Sequence, residues 1–142
     1  MNINERGTFF TVQKAVPLMG EGGSIIVMSS ILNIKAGVGY GVYSATKAAL
    51  RSFVRTWTME LRDRGIRVNT LSPGPIDTPI METQVETAAQ ADELRKGYAS
   101  MIPLGGVGKP EELGAAALFL ASSESSFVAG IDLCVDGGTT QV

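Results

Sequence analysis

Ser24-Ile25-Ile26-Val27-Met28-Ser29-Ser30 is a short apolar run, rich in β-branched residues, with Gly23 before it and two serines at its end. A strand with one face in water alternates apolar and polar positions; an uninterrupted run of about four to eight apolar residues reads instead as a strand covered on both faces, typical of parallel sheets. Loop chemistry follows at Gly37, Gly39 and Gly41, and residues 43–64 then place Leu50, Phe53, Val54, Trp57 and Leu61 on one helical stripe. Gly65 ends that helix, and Ile66-Arg67-Val68-Asn69-Thr70-Leu71 is a second strand-like run. The tract Ser72-Pro73-Gly74-Pro75 is expected to terminate it, because a proline has no N–H to give to a ladder. The order strand, helix, strand predicts a parallel crossover unit.

The rest of the chain extends this pattern in both directions. Residues 8–19 carry Phe9, Phe10, Val12, Val16 and Met19 at helical spacings, and Pro17 with Gly20 stops them. From Thr78 to Met101 apolar residues thin out, and the segment reads as a mobile cover with weak helices around 81–91 and 91–99. Pro110-Glu111-Glu112 places proline and acidic side chains at a helix start, residues 113–121 continue it, and residues 130–135 form a last strand closed by Asp136-Gly137-Gly138. The predicted class is α/β, a parallel sheet with flanking helices and three strands in one domain.

Composition narrows the chemistry. Twelve Lys and Arg stand against 14 Asp and Glu in 142 residues, a formal charge of −2, which gives no broad basic footprint for nucleic acid or an acidic membrane. No apolar run approaches the roughly 20 residues of a membrane span, and the first residues lack the basic start and apolar stretch of a signal peptide, so a cytoplasmic location is expected. There is no histidine and a single cysteine, Cys134. A Ser-His-Asp triad, a histidine metal site and an internal disulfide are thereby excluded, and proton transfer falls to Tyr, Lys, Asp, Glu or Ser. Cys134, in an apolar run, reads as a small core side chain in a reducing compartment.

Two glycine-rich tracts fail as phosphate loops. Gly105-Gly106-Val107-Gly108-Lys109 is followed by Pro110 where a P-loop needs Ser or Thr, and Pro103 occupies the place of its first glycine. Gly37-Val38-Gly39-Tyr40-Gly41 stands too far beyond its strand and reads as a flexible loop. Tyr43-Ser44-Ala45-Thr46-Lys47 is the stronger candidate. Residues four apart share a helical face, so the Lys47 ammonium is expected near the Tyr43 ring. A phenol, with an ordinary pKa near about 10, is a poor base at neutral pH, and a nearby cation favours its ionised form. Taken alone, the pair also fits an ordinary surface Tyr and Lys. Ser30, thirteen residues earlier at a strand end, stands where a hydroxyl can bind a substrate carbonyl, although a strand-end cap is the simpler reading. A serine hydrolase built on Ser30 fails for want of histidine and of a GxSxG elbow. Lys47, Arg51 and Arg55 form a line read as a solvated or dimer-facing side of the helix.

Asn4-x-x-Gly7, Ser30, Tyr43-x-x-x-Lys47, Asn69 with Pro73-Gly74-x-Ile76-x-Thr78, and Asp136-Gly137-Gly138, in this order, resemble the short-chain dehydrogenase/reductase family. The tail from residue 103 to 138 is most similar to its 3-oxoacyl-carrier-protein reductase type. The resemblance implies a Rossmann-like fold and an NAD(P)-dependent oxidoreductase that interconverts a carbonyl and a secondary alcohol by hydride transfer. It implies Tyr43 as acid/base, Lys47 tuning Tyr43 and binding the nicotinamide ribose, Ser30 positioning the substrate oxygen, and Asn4 holding a water of the proton relay. Pro73, Gly74, Ile76 and Thr78 would form the nicotinamide wall, residues 78–102 the substrate lid, and Tyr40 a pocket or surface position. A homodimer or homotetramer is implied too, paired through the helices at 8–19 and 43–64 and the strand at 130–135. The family's TGxxxGxG turn and NNAG strand have no counterpart here, so residues 1–142 are expected to be the C-terminal part of such a domain, lacking the N-terminal cofactor-binding half. The alternative is an inactive fragment serving only as an assembly subunit.

Overall fold

The computed structural model describes residues 2–142. Three parallel strands, β1 (Ser24–Met28), β2 (Arg67–Pro73) and β3 (Asp132–Val135), form one sheet in the order β1-β2-β3. The helices are α1 (Thr8–Ala15), α2 (Gly41–Glu60), α3 (Ala88–Met101) and α4 (Pro110–Ala121). The α/β class, the parallel sheet and its three strands agree with the reading of the sequence.

Alternation along the strands decides which helix covers which face. Ile25 and Val27 point to one side, where Val12 of α1 and Leu50, Val54 and Trp57 of α2 bury them together with Val68. Each fully buried aliphatic side chain there contributes about 1.5–3 kcal/mol. Ser24 points to the other side, where its hydroxyl donates to the Leu120 carbonyl of α4 at 2.7 Å. The sheet is thus layered between α1 and α2 on one face and α4 on the other. Coverage of β1 is less complete than its composition predicts, since Met28 at its end is 45 % exposed.

Three boundaries differ from expectation for identifiable reasons. First, β2 runs through Ser72 to Pro73, which pairs with Val135. The Gly74 N–H donates to Val135 on the β3 side, so the nitrogen of Pro73 faces the β1 side, where β1 has already ended and no donor is needed. Second, α2 begins at Gly41, two residues after Gly39 with its φ of +82°. Its far end tightens into a single turn at Arg62–Arg64 before the left-handed Gly65, φ +62°. Third, the segment expected to hold helices at 81–91 and 91–99 has a short 3-10 stretch, Pro79–Gln84, and one helix, α3. A capping box starts α3: the Thr87 hydroxyl accepts from the Gln90 N–H at 3.2 Å, and the Gln90 side chain accepts from the Thr87 N–H at 3.1 Å.

Candidate active site

Ser30 follows β1, Lys47 is tied to the end of that strand, and Pro73 and Gly74 end β2, all at the carboxyl ends of strands, where parallel sheets form their ligand crevices. Tyr43 and Lys47 lie on successive turns of α2, with the Lys47 Nζ 5.5 Å from the centre of the Tyr43 ring. The i, i+4 spacing therefore does bring them together. Tyr43 is 38 % exposed and stands edge-on to Tyr40 at 6.1 Å; Tyr40 itself is exposed and makes no side-chain cap to the helix it precedes.

Lys47 is tied to the end of β1 twice. Its Nζ donates to the Met28 carbonyl at 3.1 Å, and its own carbonyl accepts from the Ser29 hydroxyl at 3.0 Å. The Ser29 N–H donates to Leu71 of β2, so by alternation the Met28 carbonyl faces the opposite edge of the sheet, and the Lys47 ammonium satisfies it there. Burial of the half-buried ammonium lowers the Lys47 pKa from its ordinary 10.5.

Ser30 is buried and extended, and it caps the short turn Ile31–Asn33, its Oγ accepting from the Leu32 N–H at 3.2 Å. That contact uses a lone pair of the hydroxyl and leaves the O–H free to donate. Asn4 lies in the wide π-turn Asn2–Gly7 that leads into α1, and its carbonyl accepts from the Thr8 hydroxyl at 2.7 Å. Single π-turns occur often at functional sites, because they break the regular use of backbone carbonyls. This turn packs against α2.

Pro73 and Gly74 end β2. A Cβ on Gly74 would fall 2.8 Å from the Cα of Asp136, so only glycine allows the chain to pass there. Ile76 pairs with Gly108 in an isolated bridge, with Asp77 N–H donating to Gly108 at 2.7 Å and Gly108 N–H to Pro75 at 3.0 Å. The tract around Gly108, no phosphate loop, braces the segment that carries Ile76. Thr78 opens the 3-10 stretch. Two other motif residues are structural: buried Asn69 holds Val128 and Ile131 through its side chain, and the Asp136 carboxylate accepts from the Gly138 and Thr140 N–H groups.

One polar cluster escaped the reading of the sequence. Asn33, Arg51, Ser72 and Asp132 meet beneath α2, between the turn that carries Ser30 and the ends of β2 and β3. Arg51, expected on a solvated or dimer-facing side, turns inward instead, because the carboxylate of Asp132 lies buried within its reach. The available signal was an acidic residue in the apolar run of residues 131–135. Cys134, in that strand, is half-buried, and burial pushes its thiol pKa up.

Residues 1–140 match the family model described as enoyl-(acyl carrier protein) reductase. The chain is 44 % identical to an oxidoreductase of Sarocladium schorii over 98 % of its length and 55 % of the relative's. It is 43 % identical to the 3-oxoacyl-[acyl-carrier-protein] reductase of Thermotoga maritima, over 97 % of this chain and 54 % of that one. The chain belongs to the short-chain dehydrogenase/reductase family. Its fold agrees: the structure of an angucycline C-6 ketoreductase with bound NADP superposes with a TM-score of 0.86 at 30 % identity, over 96 % of this chain and 51 % of that one. The chain spans about half the length of the curated relatives it matches. Among the described residues no helix is long and apolar enough to cross a membrane, and no group of three or more acidic or Cys side chains is placed to hold a metal.

Proposed function

We propose that this chain carries the acid–base site of an NAD(P)-dependent oxidoreductase that interconverts a carbonyl and a secondary alcohol of a small molecule. The observation that carries the reading is the Lys47 ammonium 5.5 Å from the Tyr43 ring and bonded to the Met28 carbonyl at the end of β1, two residues before Ser30. The donor set fits the nicotinamide end of the cofactor: a reachable phenol, a half-buried ammonium, and a wall of Pro73, Gly74, Ile76 and Thr78 braced by Gly108. When bound, the cofactor supplies or takes the hydride at the carbonyl carbon.

In the direction of reduction Tyr43 gives its hydroxyl proton to the substrate oxygen as negative charge develops there. Lys47 stabilises the phenolate left behind and binds the nicotinamide ribose. Ser30 donates its free O–H to the same substrate oxygen, and Asn4 holds a water through which Tyr43 is reprotonated. Oxidation runs the same path backwards. Residues 78–102 act as the substrate lid, which excludes water once closed. The groove between α1 and α2, lined by Phe9, Val12, Phe53 and Trp57, is where a second copy packs in a homodimer or homotetramer. Cys134 suits a reducing, cytoplasmic setting. The alternative of an inactive assembly subunit draws no support from the relatives named above, which are an oxidoreductase, a reductase and a ketoreductase.

The test is oxidation of NADH or NADPH by the full-length protein with a panel of 3-oxoacyl thioesters, cyclic ketones and aldoses. Tyr43→Phe is expected to lower kcat on the best substrate about 10²- to 10⁴-fold while cofactor Kd holds. Parent-level turnover by Tyr43→Phe overturns the reading.

A further inference from the structure

Resting on the functional reading above, we propose that Asn33, with Ser72, Asp132 and Arg51 behind it, is the positioning device of the Ser30 hydroxyl. Ser30 sits on a loop after β1, and a loop alone fixes a hydroxyl poorly. Here its carbonyl is held twice by one residue: the Asn33 N–H donates to it at 2.9 Å and the Asn33 Nδ2 at 2.7 Å. The same Nδ2 lies 2.9 Å from Oδ2 of Asp132 and 3.0 Å from Oγ of Ser72, and Ser72 in turn donates to Oδ1 of Asp132 at 2.5 Å.

The chemistry of the partners admits one orientation of the amide. The Ser30 carbonyl and the Asp132 carboxylate only accept, so they require the NH₂ end of Asn33. Arg51 only donates, and its Nη1 faces Oδ1 of Asn33 at 3.4 Å. Turning the amide over would set an oxygen against two acceptors and an NH₂ against a guanidinium. The carboxylate that enforces this choice is 4 % exposed, and Arg51 Nε stands 3.7 Å from it. A buried charge in low dielectric strengthens the hydrogen bonds it accepts, so the tie from β3 through Asn33 to Ser30 is stiff. Its function is to aim a hydroxyl that has already spent one lone pair on Leu32 and keeps its proton for the substrate. None of these four side chains reaches the reacting atoms; they act through Ser30.

The device predicts coupling. In the full-length protein assayed on its best carbonyl substrate from the panel, Ser30→Ala lowers kcat about 100-fold. Asn33→Ala lowers it about 10- to 100-fold, since a misplaced group costs that order, with cofactor Kd unchanged. In the Ser30→Ala background Asn33→Ala adds less than about twofold, because the group it aims is gone. Arg51→Ala, at a half-exposed position that tolerates truncation, shows a smaller loss with the same non-additivity and supplies the cycle should Asn33→Ala not fold. Exchange of the backbone N–H at position 33, measured by NMR, speeds up in Asn33→Ala and in Arg51→Ala whatever the substrate. Losses that add in full to that of Ser30→Ala overturn the proposal by marking the network as merely structural, as does unchanged exchange with unchanged turnover. If Ser30→Ala and Tyr43→Phe both keep parent turnover, the functional reading falls and takes the aiming role with it; faster exchange in Asn33→Ala would then show a loop brace alone.

Discussion

Arg51 and Arg95 both bind carboxylates at the rim of the candidate site, on opposite terms. Arg51 faces one carboxylate, Asp132, with 4 % of its side chain exposed and with Ser72 and Asn33 already bonded to it. Arg95 gathers three, Asp77 at 2.9 Å, Asp92 at 3.2 Å and Glu82 at 3.4 Å, whose side chains are 48–68 % exposed. The first cluster locks the turn of Ser30 to strands β2 and β3. The second clasps α3 to the 3-10 stretch and to Asp77, which stands between Ile76 and Thr78. A group proposed to keep one orientation is served by a buried charge with fixed partners, and a segment proposed to open and close is served by exposed ion pairs that water can replace.

Asp132→Ala breaks the comparison on its costly side. It strips acceptors from the Ser72 hydroxyl and the Asn33 amide inside the fold, each buried donor left short adding to the loss, while half-exposed Arg51 relaxes into solvent. The expected destabilisation is about 2–3 kcal/mol, read from urea unfolding, and equal in 0.05 and 0.5 M salt. A loss below about 0.5 kcal/mol would show that the carboxylate holds nothing.

Lys47 is a third case, a half-buried cation that bonds a carbonyl and forms no ion pair among the described residues. Its pKa lies below the ordinary 10.5, so between the lowered value and 10.5 the unfolded chain holds more protons than the folded one. Stability therefore rises with pH across that window and the burial penalty is fully present below it. Lys47→Met is expected to lose this rise: as pH climbs toward 10.5, Tm gains more in the parent than in the variant. A parallel pair of curves would show that the ammonium is fully solvated.

The layers and the Tyr43–Lys47 pair were legible because each depends on periodicity alone: apolar runs for β1 and β2, a 3.6-residue stripe for α2, and a spacing of four for the pair. What stayed hidden depends on the third dimension. Pro73 reads as a stop in the sequence, and only the early end of β1 beside it makes a proline harmless inside a strand. The helical line of Lys47, Arg51 and Arg55 points to a solvated or dimer-facing side, because the partner of Arg51, Asp132, is 81 residues away in sequence. Asn33 had no motif at all, since its meaning comes from three acceptors that the turn after β1, the end of β2 and β3 bring to one amide. The start of α3 differs: its capping box, Thr87 and Gln90, lies in the sequence itself, whereas the scattered apolar residues around it mark no helix start.

The smallest expected effect sharpens the comparison from the solvent side. Arg95→Ala removes the clasp while every carboxylate it leaves behind is already hydrated, so Tm is expected to move by less than about 3 °C. The consequence is expected instead in the proposed lid, residues 78–102. KM for the carbonyl substrate rises about two- to fivefold with kcat nearly unchanged, and amide exchange of α3 accelerates. Salt should reproduce the substitution, since raising ionic strength from 0.05 to 0.5 M shortens the screening length to the dimensions of the clasp. The parent's KM then climbs toward that of Arg95→Ala, whereas the variant's stays flat. If both respond equally, the salt acts elsewhere and the lid is held by the apolar seat of Met81 and Ala91, both buried, in place of the ion pairs.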